Sequence, residues 1–231
     1  MMSLHAQHLD VYYGESRIIR GASFELAPGE TLALMGRNGM GKTTLLKALI
    51  GMLPLRGGRI RLGDVDLTQM KSYERVNAGL GFVPQGRMIF SLLTVEENIL
   101  AGMTHRTQRG VPDWIYEVFP VLFDMRLRKA GNLSGGQQQQ LAIARALVGE
   151  PKVLILDEPT EGIQPSIVKE IARTLARLKA ERGFSMIVSE QVLSFALEVA
   201  DRFLIIERGE FVHEAQRRDV DAARIQAFLT I

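Results

Sequence analysis

The chain has 231 residues, 46% of them hydrophobic and 23% charged, a composition that suits a folded domain burying roughly 70% of its unfolded surface and excludes a disordered protein. Basic and acidic residues number 28 and 26, a net charge of +2, which gives no ground for a nucleic-acid partner. The absence of cysteine rules out disulfides, thiolate metal sites and cysteine nucleophiles.

The first ten residues lack an apolar h-region, so no signal peptide is expected. No apolar run reaches the ~18 residues of a membrane span, so any work on a membrane is expected to go through a partner. Residues 9–13 and 22–26 read as short strands, broken by Gly14 and by Pro28-Gly29. Residues 31–35 form an apolar run expected to be a buried strand. A Gly-rich loop and a helix over 42–50 follow, then a strand at 59–62, a helix at 73–78 and a strand at 80–83. From Gly86 to Gly149 the pattern turns helical, over 94–103, 113–119 and 135–148. Thr94 with Glu97 three residues on predicts a capping box. β-pattern returns at 153–156. A helix at 166–181, a strand at 185–189, a helix at 193–200, a strand at 202–206, a hairpin strand near Phe211 and a helix within 219–229 complete the chain. Strand–helix alternation on both sides of a helical stretch predicts an α/β core with a helical insertion.

Two segments carry chemistry. Gly36-Arg37-Asn38-Gly39-Met40-Gly41-Lys42-Thr43 fits G-x-x-x-x-G-K-[ST], between a buried strand and a helix. Its glycines allow the backbone to wrap phosphates closely, and successive N–H groups at the helix start face the anion. Lys42 can reach the β- and γ-phosphates, and the Thr43 hydroxyl can ligate Mg²⁺. A chance Gly-rich turn is the bland alternative, and the strand–loop–helix context argues against it. Residues 153–156 then run into Asp157 and Glu158. At the carboxyl edge of a parallel sheet these face the ligand crevice. Asp157 suits a Mg²⁺ contact, and Glu158 suits the general base that polarises the attacking water.

Leu133-Ser134-Gly135-Gly136-Gln137 matches the signature motif of ABC transporter ATPases, and over its whole length the chain resembles the ATP-binding subunits of that family. The resemblance implies a P-loop NTPase fold with a mixed-sheet core, an N-terminal antiparallel β subdomain and a helical insertion. It divides one domain of 1–231 into a nucleotide-binding core (1–85 and 150–231) and a helical signature subdomain (86–149). It implies that residues 36–44, Thr44 included, cradle ATP. Ser134, Gly135, Gly136 and Gln137 then meet the γ-phosphate of an ATP held by a second subunit, so two chains sandwich two ATPs. Tyr13 falls where an aromatic ring stacks on adenine, with Tyr12 as its competitor. Gln85 matches the glutamine that touches Mg²⁺ and the attacking water, at the boundary of the insertion.

Two positions depart from the family pattern. Gln191 stands where the switch histidine is usual, and none of His5, His8, His105 and His213 falls there. Gln164 stands where an aspartate is usual. With glutamine at the switch position the chain resembles one of the two ATPase subunits of the branched-chain amino acid and urea uptake branch, which pairs with a paralogous ATPase. The expected working partner is therefore a different ATPase, with a homodimer open to the isolated chain. Residues 158–166 and 83–87 look closest to the urea subunit, and branched-chain amino acid import is the alternative. The resemblance further implies two membrane permease subunits, an indirect link to an extracytoplasmic solute-binding protein, and a peripheral place on the cytoplasmic face of the membrane. A soluble ABC ATPase of repair or translation would need tandem cassettes or a long coiled coil. A non-hydrolysing regulatory subunit would not need Lys42, Thr43, Asp157 and Glu158.

Met70, Met88, Met103 and Met125 are expected to fill the core rather than to form a pliable binding surface. Met88-Ile89-Phe90, with Leu92-Leu93, falls where the family receives a helix of the membrane subunit. Trp114 is expected to pack, and Arg126, Arg128 and Lys129 to form a solvated face.

Overall fold

The computed structural model describes residues 2–103 and 110–229, so His105 lies outside the described residues. In chain order the elements are β1 (Leu4–Tyr13), β2 (Ser16–Leu26), β3 (Thr31–Met35), α1 (Lys42–Leu49), β4 (Leu55–Leu62), β5 (Val65–Asp66), α2 (Ser72–Ala78), β6 (Leu80–Val83), α3 (Val95–Leu100), α4 (Asp113–Val118), α5 (Pro120–Asp124), α6 (Gly135–Leu147), β7 (Val153–Asp157), α7 (Pro165–Arg182), β8 (Ser185–Glu190), α8 (Leu193–Val199), β9 (Arg202–Glu207), β10 (Glu210–Gln216) and α9 (Ala222–Leu229). A 3₁₀ turn, Ala130–Asn132, leads into α6.

Two sheets form. The first, β2-β1-β4-β5, is antiparallel; the second, β10-β9-β3-β8-β7-β6, is parallel except for the β10–β9 hairpin. Strand β7 is buried at every position, and period-two alternation divides its side chains between two cores. Val153 and Ile155 join α1 and the antiparallel sheet in one cluster. Leu154 and Leu156 join α3, α6, α7 and α8 in another. Strand β3 behaves likewise: Leu32 and Leu34 face the antiparallel sheet, while Ala33 and Met35 face α8 and α9. The parallel sheet is thus covered on both sides, which is why its strands read as continuous apolar runs.

Helix starts follow local chemistry. The expected Thr94–Glu97 box forms at α3, with the Thr94 N–H donating to Glu97 at 2.7 Å and the Glu97 N–H donating back to Thr94 at 3.1 Å. Helix α7 stops at Gly183, which is left-handed at φ 72°. Two short elements, β5 and α5, carry too few residues for a periodic signal and were not expected. Of the methionines, Met70, Met103 and Met125 pack against the cores, whereas Met88 is exposed. Trp114 packs as expected, with the Arg182 guanidinium over its ring at 3.4 Å. Arg128 and Lys129 are exposed, but Arg126 is half-buried on the Phe123 ring. Among the described residues no helix is long and apolar enough to cross a membrane.

One buried cation ties the sheets together. Arg202 on β9 donates to Glu30 at 2.6 Å, to Glu214 on β10 at 2.8 Å, and to the Glu25 carbonyl on β2. Arg202→Ala strands the largely buried Glu30 carboxylate and is expected to cost about 3 kcal/mol. Urea unfolding measures this, and a loss below ~1 kcal/mol would show the network to be a surface feature.

Candidate active site

The Gly-rich loop joins the carboxyl end of β3 to the start of α1. A Cβ on Gly36 would run into the Ile206 carbonyl, and one on Gly41 (φ 108°) would lie 2.9 Å from the Ile19 side chain. Both positions need glycine because strand and hairpin press on the loop from behind. Gly41 is the N-cap of α1, so the helix begins with its free N–H groups facing the loop. Lys42 is buried at its first position. Its ammonium donates to the Gly36 and Arg37 carbonyls at 2.7 and 3.2 Å and lies 3.3 Å from a Glu158 oxygen. Thr44 is buried two positions further in, and Arg37 donates to the Phe228 carbonyl of α9 at 3.3 Å.

Strand β7 delivers Asp157 beside Ser189 of β8. One Asp157 oxygen accepts from Ser189 at 2.7 Å and from Thr43 at 3.1 Å. The other is buried with no hydrogen-bond partner among the described residues. Burial pushes this carboxyl above the usual range, against the pull of the two hydroxyls and of Lys42; the neighbouring Glu158 adds to the rise. An orphaned carboxylate oxygen beside a threonine hydroxyl is a hard oxygen donor set, and it fits a Mg²⁺ held chiefly by substrate phosphates and water.

Glu158 leaves the strand in a left-handed conformation at φ 47°, which costs a non-glycine residue about 1–2 kcal/mol. Its N–H donates to the Ser189 carbonyl at 3.0 Å. Its carboxylate accepts from Gln191 at 2.8 Å and from Gln85 at 3.2 Å. Gln191 also donates to the Asn38 side chain at 2.7 Å, and Gln85 to Glu161 at 3.1 Å. Lys42, Glu158, Gln85, Gln191 and Asn38, expected from scattered stretches of sequence, are therefore one connected set.

Among the described residues the signature segment shares no hydrogen bond with this set; a Cβ on Gly135 would lie 3.4 Å from the Arg87 guanidinium. Ser134 is the N-cap of α6; its hydroxyl accepts from the Gln137 N–H at 3.4 Å, and its own N–H donates to the Gln137 side chain at 2.9 Å. Ser134 is exposed, with Gly135 and Gly136 half-buried behind it, so a 13-residue helix offers its positive end to solvent. Tyr12 and Tyr13 also part: Arg56 covers the Tyr12 ring at 4.6 Å, while Tyr13 is 48% exposed at the end of β1. Gln164 is the N-cap of α7 but makes no side-chain cap bond, as its longer side chain suits that position less than aspartate does.

The sequence reading missed Glu190, Glu161 as an acceptor for Gln85, and Arg87, which donates to the Glu161 carbonyl at 2.9 Å. One signal was available: 185–190, like 153–158, is an apolar strand ending in adjacent polar and acidic residues.

Comparison with known proteins agrees with this geometry. The family model "ABC transporter" matches residues 19–161. The chain is 39% identical to the high-affinity branched-chain amino acid transport ATP-binding protein BraG of Pseudomonas aeruginosa, over 88% of each chain. It is 32% identical to the probable branched-chain amino acid transport ATP-binding protein LivF of Archaeoglobus fulgidus, over 89% of each. Among solved structures it is similar to the ADP conformation of an ATP-binding cassette of an ABC transporter, at a TM-score of 0.82 and 26% identity, over 99% of this chain and 95% of that one.

The raised Asp157 pKa sets a stability sign. Its folded value lies above its unfolded one, so its contribution to the fold is full below the unfolded pKa and is lost as pH rises through the folded value. Asp157→Asn is expected to raise the melting temperature of the nucleotide-free chain by about 2–4 °C at pH 7, with the gain shrinking toward pH 4, and to abolish stabilisation by Mg²⁺–ATP. A lower melting temperature at pH 7 would refute the cost assigned to this charge.

Proposed function

The chain belongs to the ABC transporter family as an ATP-binding ATPase subunit, and we propose that it powers solute uptake, urea being the solute that its sequence favours. The observation that carries the motor reading is the pairing of two open half-sites on one chain: the Lys42–Asp157–Glu158 cluster and the N-terminus of α6 at Ser134. Each half lacks what the other supplies, so two chains facing one another complete two sites.

In this reading ATP lies on residues 36–44, with its adenine against Tyr13. Lys42 exchanges its contact with Glu158 for the β- and γ-phosphates. Thr43, Asp157 and Gln85 would hold a Mg²⁺, which would supply charge neutralisation at the phosphates. Glu158, relieved of Lys42, accepts the proton of the attacking water, while Gln191, itself bonded to Asn38, holds its carboxylate in line. Ser134 and the N–H groups of Gly135, Gly136 and Gln137 face the γ-phosphate from the other subunit. Gln191 can donate a hydrogen bond but carries no charge, which suits a pair in which a paralogous ATPase supplies the histidine.

The apolar groove of about 670 Å³ that includes Met52, Tyr73, Met88, Phe90 and Met103 suits a helix of a membrane permease. That docking would hold the chain at the cytoplasmic face. The urea reading rests on residues 158–166 and 83–87, which touch through Arg87 and Glu161. Branched-chain amino acid import is the second reading, favoured by the likeness to BraG. Copurifying the complex and measuring which solute stimulates its ATPase through the binding protein decides between them. Urea stimulation supports the first reading, leucine stimulation the second; copurifying ribosomes or DNA would overturn both.

Glu158→Gln is expected to leave ATP binding intact, stabilise the ATP-bound dimer and slow turnover by about 10²–10⁴. Steady-state hydrolysis beside nucleotide titration checks this, and unchanged turnover would assign the base elsewhere. Lys42→Ala is expected to abolish nucleotide binding or turnover.

A further inference from the structure

Glu190 ends β8 with 2% of its surface exposed. Its carboxylate accepts four hydrogen bonds, none from a charged group. One oxygen takes the Thr160 N–H at 3.1 Å and the Thr160 hydroxyl at 2.6 Å. The other takes the N–H groups of Gln191 at 2.9 Å and Val192 at 3.0 Å. A buried carboxylate without a counter-ion is costly, and only donors converging on its charged form offset that cost. A neutral amide of the same shape could not replace it, since an amide has one acceptor oxygen for four donors.

The two oxygens serve two different loops. Thr160 opens the loop after Glu158 and precedes Glu161, which accepts from Gln85. Gln191 and Val192 open the loop after β8, and Gln191 is the residue that bonds both Glu158 and Asn38. Glu190 thus fastens the backbone on either side of Glu158. We propose that Glu190 is a positioning residue that locks these loops into one unit, and that it sets the reach of Gln191 to Glu158 before nucleotide binds. The inference rests on the reading that Glu158 and Gln191 act in hydrolysis. It does not require Glu190 to touch nucleotide.

The test uses the full chain in its copurified complex, with kcat and KM for ATP, a melting temperature and a double-mutant cycle. Glu190→Gln keeps the shape but sets an amide N–H₂ against two donors. It is expected to lower kcat by about 10-fold to 10²-fold, the cost of a small misplacement of catalytic groups, with KM for ATP within about twofold because residues 36–44 are untouched. In a Gln191→Ala background the same substitution should have a much smaller effect on kcat, since the side chain it positions is gone. Thr160→Val deletes the 2.6 Å bond and keeps the carboxylate, so it remains readable if Glu190→Gln does not fold; a smaller fall in kcat at constant KM is expected. Native kcat in Glu190→Gln or in Thr160→Val, beside a slowed Gln191→Ala, would overturn the proposal alone. An equal loss in both backgrounds would also overturn it, by showing a structural role only. Native speed in Gln191→Ala would overturn the role assigned to that side chain, and the proposal with it.

Discussion

Everything at this site depends on the register of three buried parallel strands. Met35 of β3 lies opposite Glu190 of β8, and Ser189 lies opposite Asp157 of β7. The apolar runs of β7 and β8 therefore end at one level, while β3 stays apolar to Met35, and the polar residues that follow emerge at the same edge. A slip of one residue would exchange the two faces of a strand. It would drive Asp157 or Glu190 into an apolar cluster and withdraw an apolar side chain from it. The packing of both faces thus enforces the alignment of the catalytic edge, so the chemistry and the core are specified by the same side chains.

That arrangement explains why some of the site could be read from sequence and some could not. Lys42, Thr43, Asp157 and Glu158 sit at places where strand gives way to loop or helix, and both the glycines and the apolar-to-acidic change mark those places. Signature residues 134–137 were legible through their match to the family's signature motif, and the Ser134–Gln137 capping box that starts α6 emerged only in the fold. Gln85 and Gln191 were legible only through resemblance, because their work depends on pairing across 73 and 33 residues of chain with Glu158. Glu190 escaped notice because a carboxylate ending a strand reads as solvated; only the folded chain brings Thr160 above it. In the fold, β5 and α5 were missed for want of length, whereas β7, buried on both faces, was clear as a continuous apolar run and α6 as a helical pattern.

Three acidic groups at this edge are managed in three ways. Asp157, its pKa raised chiefly by burial, keeps one oxygen without a partner among the described residues, which favours an incoming cation. Glu158 is held by Lys42 and by two amide donors, in a strained backbone that aims it outward. Glu190 is saturated by neutral donors and carries no free lone pair toward the crevice. Like charges so close repel, and the two that face the crevice have partners that a nucleotide or a cation can replace. Only the third is fixed. A site built this way is rigid where geometry must persist and exchangeable where substrate must enter.

The exchangeable contacts also lead out of the site. Gln85 is bonded to Glu158 and Glu161, and two residues later Arg87 takes a left-handed conformation at φ 69°. Its side chain holds the Glu161 carbonyl, and its own carbonyl accepts from Arg145 of α6 at 3.1 Å. Arg145 in turn lies 5.1 Å from the Phe90 ring at the apolar groove. A change in what Glu158 and Gln85 hold therefore bears directly on a segment attached to the signature helix and to the groove. Each of these links is a hydrogen bond or ring contact worth on the order of 1 kcal/mol. That is small enough for phosphate binding to rearrange, and several acting together are large enough to shift a population.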